Sequence, residues 1–202
     1  MKKYKINLES PNHNIINEAI EILANGGVIL YPTDTIYGLG ANIFNEKAVK
    51  RVYEIKKRGF DKPLSILIQD LDELSLIGEL SAKNKEYISN YLPGPFTFIL
   101  KKKNTVPDYI TSNKNNVGVR IPNSTIARSL AEIFPITTTS ANLSNEKTLN
   151  NPKDILKQLD VDIDLVLDVG ILDSLKPSKI IDLTGSIPKL KNRINDTYLE
   201  VK

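Results

Sequence analysis

The chain has no cysteine, no tryptophan, one methionine and one histidine in 202 residues. Without cysteine it can form neither a disulfide nor a thiolate metal site. A lone imidazole, His13, rules against a histidine-built metal centre and against a Ser-His-Asp triad. No apolar run approaches the roughly 20 residues of a membrane span. The N-terminus, MKKYKINLES, has early lysines but no apolar stretch behind them, so it is not a secretory signal. The expected location is the cytoplasm, with no membrane partner. Excess charge is scarce too: the net value is +3, too mild to demand a nucleic-acid partner, although a local cluster can still hold phosphates. A glycine-rich phosphate loop is missing, since GxxxxGK[ST] does not occur and Gly38-Leu39-Gly40 does not extend to GxGxxG. A nucleotide would have to be held by cationic side chains and hydroxyls.

What is present is ordinary globular chemistry, 41% apolar and 25% charged, in a chain long enough to bury a sizeable core. Ile16, Ala19, Ile20 and Leu23 recur at helical spacing before Gly26-Gly27. Val28 to Tyr31 reads as a strand. Asn45 can cap a helix with Ala48, Val49, Val52 and Ile55 on its apolar face and Gly59 as its stop. Further helices are expected at Ser81 to Leu92, from Ser124 with Ile126, Ala127, Leu130 and Ile133, and at Pro152 to Leu159. Strands are expected at Leu64 to Ile68, Phe96 to Leu100, around Val117, Val119 and Ile121, and at Ile136 to Ser140, Leu165 to Asp168 and Ser178 to Leu183, with weaker signals to Val201. Interleaved strands and helices along the whole length, with no boundary between them, predict one α/β sandwich around a mixed, twisted sheet.

Four stretches could carry chemistry. YPTDTIYGLG, Tyr31 to Gly40, leaves a buried strand with hydroxyls, an aspartate and glycines, and reads as a site wall. KKRGFDKPL packs Lys56, Lys57, Arg58 and Lys62 into seven residues. Cations at a helix C-terminus complement the macrodipole, which is the plain reading. The sharper one needs the helix to end between Lys56 and Arg58, since residues two apart on a helix point about 200° apart. The two could then converge on a polyphosphate, Arg as a fork and Lys as a point charge. ITTTSANLS is either a strand with a Ser/Asn turn or a strand whose hydroxyls meet something polar. In VGVRIP, Arg120 sits on the polar face of a strand, for a surface salt bridge or for a carboxylate or phosphate.

Together with PGPFTFIL and PSKIIDLT, these stretches occur in the order found in the YrdC-like family, whose enzymatic members are threonylcarbamoyl-AMP synthases. The resemblance runs from Ala19 to about Thr184. It implies an α/β/α sandwich with a basic concave surface, one catalytic domain over residues 1–202 in the short form, and a nucleotidyltransferase. The implied reaction joins L-threonine, bicarbonate or CO2, and ATP into threonylcarbamoyl-AMP and pyrophosphate. The product passes to a threonylcarbamoyl transferase complex that modifies adenosine 37 of ANN-decoding tRNAs. The family's K-x-R…S-x-N tetrad corresponds to Lys56, Arg58, Ser140 and Asn142. The YciO-type branch shares the fold and looks different at that tetrad, all of which this chain keeps.

By the same resemblance Thr35, Arg120, Thr138 and Ser178 bind threonine, with Arg120 on its carboxylate. Arg58, Lys62, Asn116, Ser140, Thr148 and Arg193 serve ATP, with Lys191 second to Arg193 for the last contact. Mg2+ rides on the ATP phosphates, and the protein contributes no metal ligand. Two departures stand out: Leu67 replaces a histidine frequent in longer members, and Pro177-Ser178-Lys179-Ile180 has lysine where threonine is usual. Two other readings remain, a YciO-like enzyme with another substrate and a non-catalytic module that binds double-stranded RNA or tRNA weakly through the same basic concavity.

Overall fold

The structure is a computed structural model that describes residues 1–192 and 197–200. The strands are β1 (Lys2–Lys5), β2 (Ile29–Tyr31), β3 (Gly38–Gly40), β4 (Ser65–Leu67), β5 (Phe96–Lys101), β6 (Asn116–Arg120), β7 (Ile136–Ser140), β8 (Leu165–Asp168), β9 (Lys179–Asp182), β10 (Lys189–Lys191) and β11 (Tyr198–Glu200). The helices are α1 (His13–Ala24), α2 (Glu46–Ile55), α3 (Leu74–Ile77), α4 (Ala82–Ser89), α5 (Asp108–Thr111), α6 (Thr125–Leu130) and α7 (Pro152–Leu159). The strands form one mixed sheet in the order β1-β8-β2-β3-β7-β4-β6-β5-β9-β10-β11. The sheet combines parallel pairs such as β2–β8 and β4–β6 with antiparallel ones such as β3–β7 and β5–β6. Among the described residues no helix is long and apolar enough to cross a membrane.

Local signals account for most of these elements. The Asn12 side chain accepts from the backbone N–H of Asn14 to start α1, whose Ile16, Ala19, Ile20 and Leu23 form one buried stripe. Asn45 caps α2 and Asn151 caps α7, which also has proline in its first turn. Strand β1 has no apolar alternation. Its lysine-rich KKYK pairs with β8 at the sheet edge, where charge discourages pairing with other chains. Helix α6 stops at Leu130 rather than running to Ile133, which is exposed.

Side chains alternate across the sheet and define two cores. On one face Ile29, Tyr31, Leu67, Ile136, Leu165 and Leu167 pack beneath α1 and α6. On the other Leu30, Ile66, Phe98, Val117, Val119 and Val166 pack against α2 and α7. The first face changes character across β4, β6, β5 and β9. There Ser65, Gly118, Thr97 and Ser178 stand in place of large apolar residues and line a cleft. A sheet with helices on both faces at one end thus has one face open at the other, and the open face is where polar side chains collect.

Candidate active site

The cleft measures about 910 Å³. Its floor follows the register of the strands. Ser65 lies beside Gly118 across β4–β6, and Ser65 pairs with Thr138 across β4–β7. A Cβ on Gly118 would come 2.5 Å from the Ser65 hydroxyl and 3.4 Å from a Thr97 methyl, so glycine keeps the floor low. Arg120 lies near one end of this floor and Asn116 near the other, separated by four residues of β6, about 13 Å.

The stretch that leaves β2 is a tightly bonded wall. The ring of Tyr31 crosses beneath β3, where a Cβ on Gly38 or Gly40 would meet it at 3.1 or 2.9 Å; this is why the sequence reads Gly-Leu-Gly. Thr33 Oγ1 accepts from the N–H of Thr35 and of Ile36 and donates to the carbonyl of Ile36 at 2.7 Å. With that proton committed, Thr35 donates to Thr33 at 3.1 Å. Arg120 Nη2 in turn donates to Thr35 Oγ1 at 2.8 Å and forms an ion pair with Asp34. Arg120 is therefore not a surface cation. Its side chain is 5% exposed, and burial lowers its pKa while the Asp34 charge opposes the shift.

The helix expected to stop at Gly59 stops earlier. Lys57 takes the left-handed conformation, φ 48°. The N–H of Arg58 reaches the carbonyl of Tyr53 at 2.9 Å and that of Lys57 reaches Glu54 at 2.9 Å, the two bonds of a Schellman motif. Gly59 has an ordinary backbone. This termination separates Lys56 from Arg58 instead of aiming both into the cleft. Lys56 turns inward and is 2% exposed. Its ammonium donates to the carbonyl of Ser140, to that of Asn142 at 2.7 Å and to Asn142 Oδ1 at 3.4 Å, while its own carbonyl accepts from Ser144 N–H at 2.8 Å. Burial, with the Arg58 charge second, pulls the Lys56 pKa down to about 7; three oxygen acceptors, one for each N–H of an ammonium, oppose that loss. Arg58 lines the cleft, held by Nε to the carbonyl of Lys62 at 3.2 Å and Nη2 to that of Pro63 at 2.9 Å.

A non-glycine residue in the left-handed region costs about 1 kcal/mol. Lys57→Gly should therefore raise the melting temperature by about 2–4 °C, given the size scaling of thermal unfolding. A melt that stays put or drops would show that the Lys57 side chain offsets its backbone strain.

Of the other residues singled out from the sequence, Lys62, Asn116, Thr138, Ser140, Ser178 and Lys191 line the cleft. Ser178 Oγ lies 2.8 Å from Thr97 Oγ1. Thr137, on the opposite face of β7, accepts from the N–H of Ala41 and donates to the carbonyl of Leu39, which explains one of the four consecutive hydroxyls structurally. Thr35, within the wall, and Asn142, beside Lys56, are buried and outside the cleft lining, and the Asn142 amide donates to the carbonyls of Leu143 and Glu146. Thr148 is half-buried and not among the lining residues. Arg193 lies outside the described residues. Leu67 is fully buried beneath the first core and has no access to the cleft.

Among the lining residues that carried no functional role in the sequence are Thr97, Lys114 and Asp182. The alternation Phe96-Thr97-Phe98 signals Thr97, whereas only the fold brings Lys114 to the cleft. Asp34 was visible within the wall but had no assigned partner. Among the described residues no three histidines or carboxylates converge to hold a metal ion, and the cleft carboxylates Asp61 and Asp182 stand on different segments.

A family model named Sua5_yciO_yrdC, described as "Telomere recombination", matches residues 21–193. The putative threonylcarbamoyl-AMP synthase of Methanocaldococcus jannaschii is 40% identical over 91% of this chain and 86% of its own length. Escherichia coli YciO is 34% identical over 92% of this chain and 91% of its own length, and its crystal structure superposes with a TM-score of 0.87, 32% identity and coverage of 100% and 98%. Sua5 of Pyrococcus abyssi, solved in complex with L-threonine, gives a TM-score of 0.88 at 32% identity over 94% of this chain. The chain spans 56% of that longer protein. On the family match and these relatives, the chain belongs to the Sua5/YciO/YrdC family.

Proposed function

We propose that the cleft makes threonylcarbamoyl-AMP and pyrophosphate from L-threonine, bicarbonate or CO2, and ATP, as a nucleotidyltransferase, with residues 1–202 acting as one catalytic unit. The observation that carries this reading is the division of the cleft floor. A buried arginine stands near hydroxyl residues at one end, and Arg58, Lys62, Asn116 and Ser140 stand toward the other. The names of the M. jannaschii and P. abyssi relatives and the threonine complex of P. abyssi Sua5 support it.

Threonine enters with its carboxylate at Arg120 and its side chain between Thr138 and Ser178, while Thr35 serves the site through its bond to the Arg120 guanidinium. The ammonium loses a proton to solvent, and the free amine adds to CO2 with loss of a second proton, or to bicarbonate with loss of water; the carbamate oxygen then attacks the α-phosphorus of ATP in line. Pyrophosphate leaves. Arg58, Lys62 and Lys114 meet the charge that develops on phosphoryl oxygens, the main protein contribution in phosphoryl transfer generally. The Arg58 fork is held by two carbonyls before substrate arrives, so it needs little reorganisation. Ser140 and Asn116 border the nucleotide, and Lys56 holds the Ser140–Asn142 turn in place. Mg2+ comes in on the ATP phosphates as part of the substrate. A cytoplasmic location follows from ATP and tRNA as the beginning and end of this chemistry, and the product would pass to a transferase acting on tRNA.

The experiment is pyrophosphate release with a series of amino acids. Serine lacks only a methyl and should lose about 1–3 kcal/mol of discrimination, whereas valine leaves bonded hydroxyls without a partner and should fall roughly 10⁴-fold. The expected order is threonine, serine, then valine far below. Valine matching serine would mean that no hydroxyl is read. The near full-length match to E. coli YciO favours a second reading, an enzyme of this fold with another substrate. Pyrophosphate release indifferent to every amino acid would select it.

A further inference from the structure

Resting on the reading of the cleft as an amino-acid site, we infer that Asp34 receives the ammonium of the substrate, and that the Asp34–Arg120 pair is a template for a zwitterion. The pair is buried, with side chains 11% and 5% exposed. It is also incomplete: Asp34 Oδ2 and Arg120 Nε are both shielded from solvent and have no hydrogen-bond partner. An unmet acceptor and an unmet donor on one ion pair mark unused binding capacity where unsatisfied polar atoms are costly.

Charge accounting decides what can use that capacity. Arg120 lines the cleft, as do Thr33 and Ile36, which bracket Asp34 and Thr35 in sequence; Asp34 meets the cleft through its ion pair with Arg120. A lone carboxylate that took Arg120 would leave Asp34 buried without a counter-charge, a strongly unfavourable state. A lone amine would leave Arg120 in the same position. A zwitterionic α-amino acid brings one charge of each sign, so its carboxylate replaces Asp34 on Arg120 while its ammonium takes the released Asp34. Four alternating charges then stand where two stood, and none is unpaired. Only the Asp34 side chain has to turn, because Thr33 clamps the backbone through the N–H groups of Thr35 and Ile36. Selection against simple acids comes from the stranded charge, a penalty built against the wrong ligand.

The test is calorimetric binding of three ligands: L-threonine, the 2,3-dihydroxybutanoate of matching configuration that lacks the amine, and the 2-aminobutane-1,3-diol that lacks the carboxylate. Wild-type protein should bind threonine about 100-fold or more tightly than either analogue. Asp34→Asn, with a melt to confirm folding, should weaken threonine about 30-fold or more while binding the dihydroxy acid more tightly than wild type does. Equal threonine affinity in the variant overturns the proposal. So does an equal loss for threonine and the dihydroxy acid, since that marks Asp34 as only an orienter of Arg120. Wild-type protein that binds the dihydroxy acid as tightly as threonine overturns it without any variant. No threonine binding to wild type removes the amino-acid reading itself, and the inference with it.

Discussion

Replacing Lys56 by methionine should remove turnover and stability together, whereas replacing Arg58 by alanine should remove turnover and leave the fold intact. The two residues are adjacent in motif and opposite in placement. Lys56 is buried, with its ammonium among the carbonyls of Ser140 and Asn142 and the Asn142 side chain. Methionine keeps much of the volume and takes the ammonium from both Asn142 oxygens, while the Ser140 carbonyl keeps only the N–H of Asn142 at 3.0 Å. A buried unsatisfied acceptor costs about 1–3 kcal/mol, so the sum here is about 2–5 kcal/mol. In a chain of this size that is a fall of roughly 5–15 °C in melting temperature. The turn that carries Ser140 into the cleft would loosen, and turnover would go with it. Arg58 rests on the carbonyls of Lys62 and Pro63 at the cleft edge. Alanine there should cost about 10²-fold or more in kcat, as for the loss of one transition-state donor, with the melt little changed. A Lys56→Met protein that melts like wild type would contradict the tether. Near wild-type turnover in Arg58→Ala would leave Arg58 as a helix-end charge and nothing more.

Arg120→Lys should raise the Michaelis constant for threonine by about 10²-fold while the protein stays folded. Lysine keeps the positive charge opposite Asp34, so the aspartate is not stranded. What it cannot keep is a planar fork able to hold Thr35 and a carboxylate at once. The melt should fall by only a few degrees. The diagnostic sign is the split: the constant for ATP, whose phosphates the proposed reading assigns to Arg58, should move far less than that for threonine. An unchanged threonine constant would take Arg120 out of the substrate pocket.

Where signals are local, the chain could be read from its sequence. Helices α1 and α7 follow from capping asparagines and apolar stripes, and β6 from its period of two, which also put Arg120 on the polar face. Strand β3 was hidden because Gly38 and Gly40 are dictated by a neighbour's ring, not by strand propensity. Strand β1 was hidden because an edge strand with three lysines shows no core pattern. The end of α2 was misplaced because a lysine, not the nearby glycine, adopts the left-handed turn. That one conformation then sends Lys56 to partners 84 and 86 positions away, a contact no local reading could supply. The family resemblance named Lys56, Ser140 and Asn142 together, and the structure adds that the bonds between them run largely through backbone carbonyls. Asp34 escaped for a similar reason: its meaning depends on a strand 86 residues further along the chain.

The measurement that bears most directly on the proposed chemistry follows carbon from bicarbonate. The purified protein, ATP with magnesium, L-threonine and ¹⁴C-bicarbonate should yield label in a compound that carries both threonine and AMP, with pyrophosphate formed in equal amount. Label should vanish when threonine is omitted and fall sharply in Arg58→Ala. Pyrophosphate or AMP formed without incorporation of the label, or labelled product formed equally well without threonine, would contradict a carbamate attacking the α-phosphorus in this cleft.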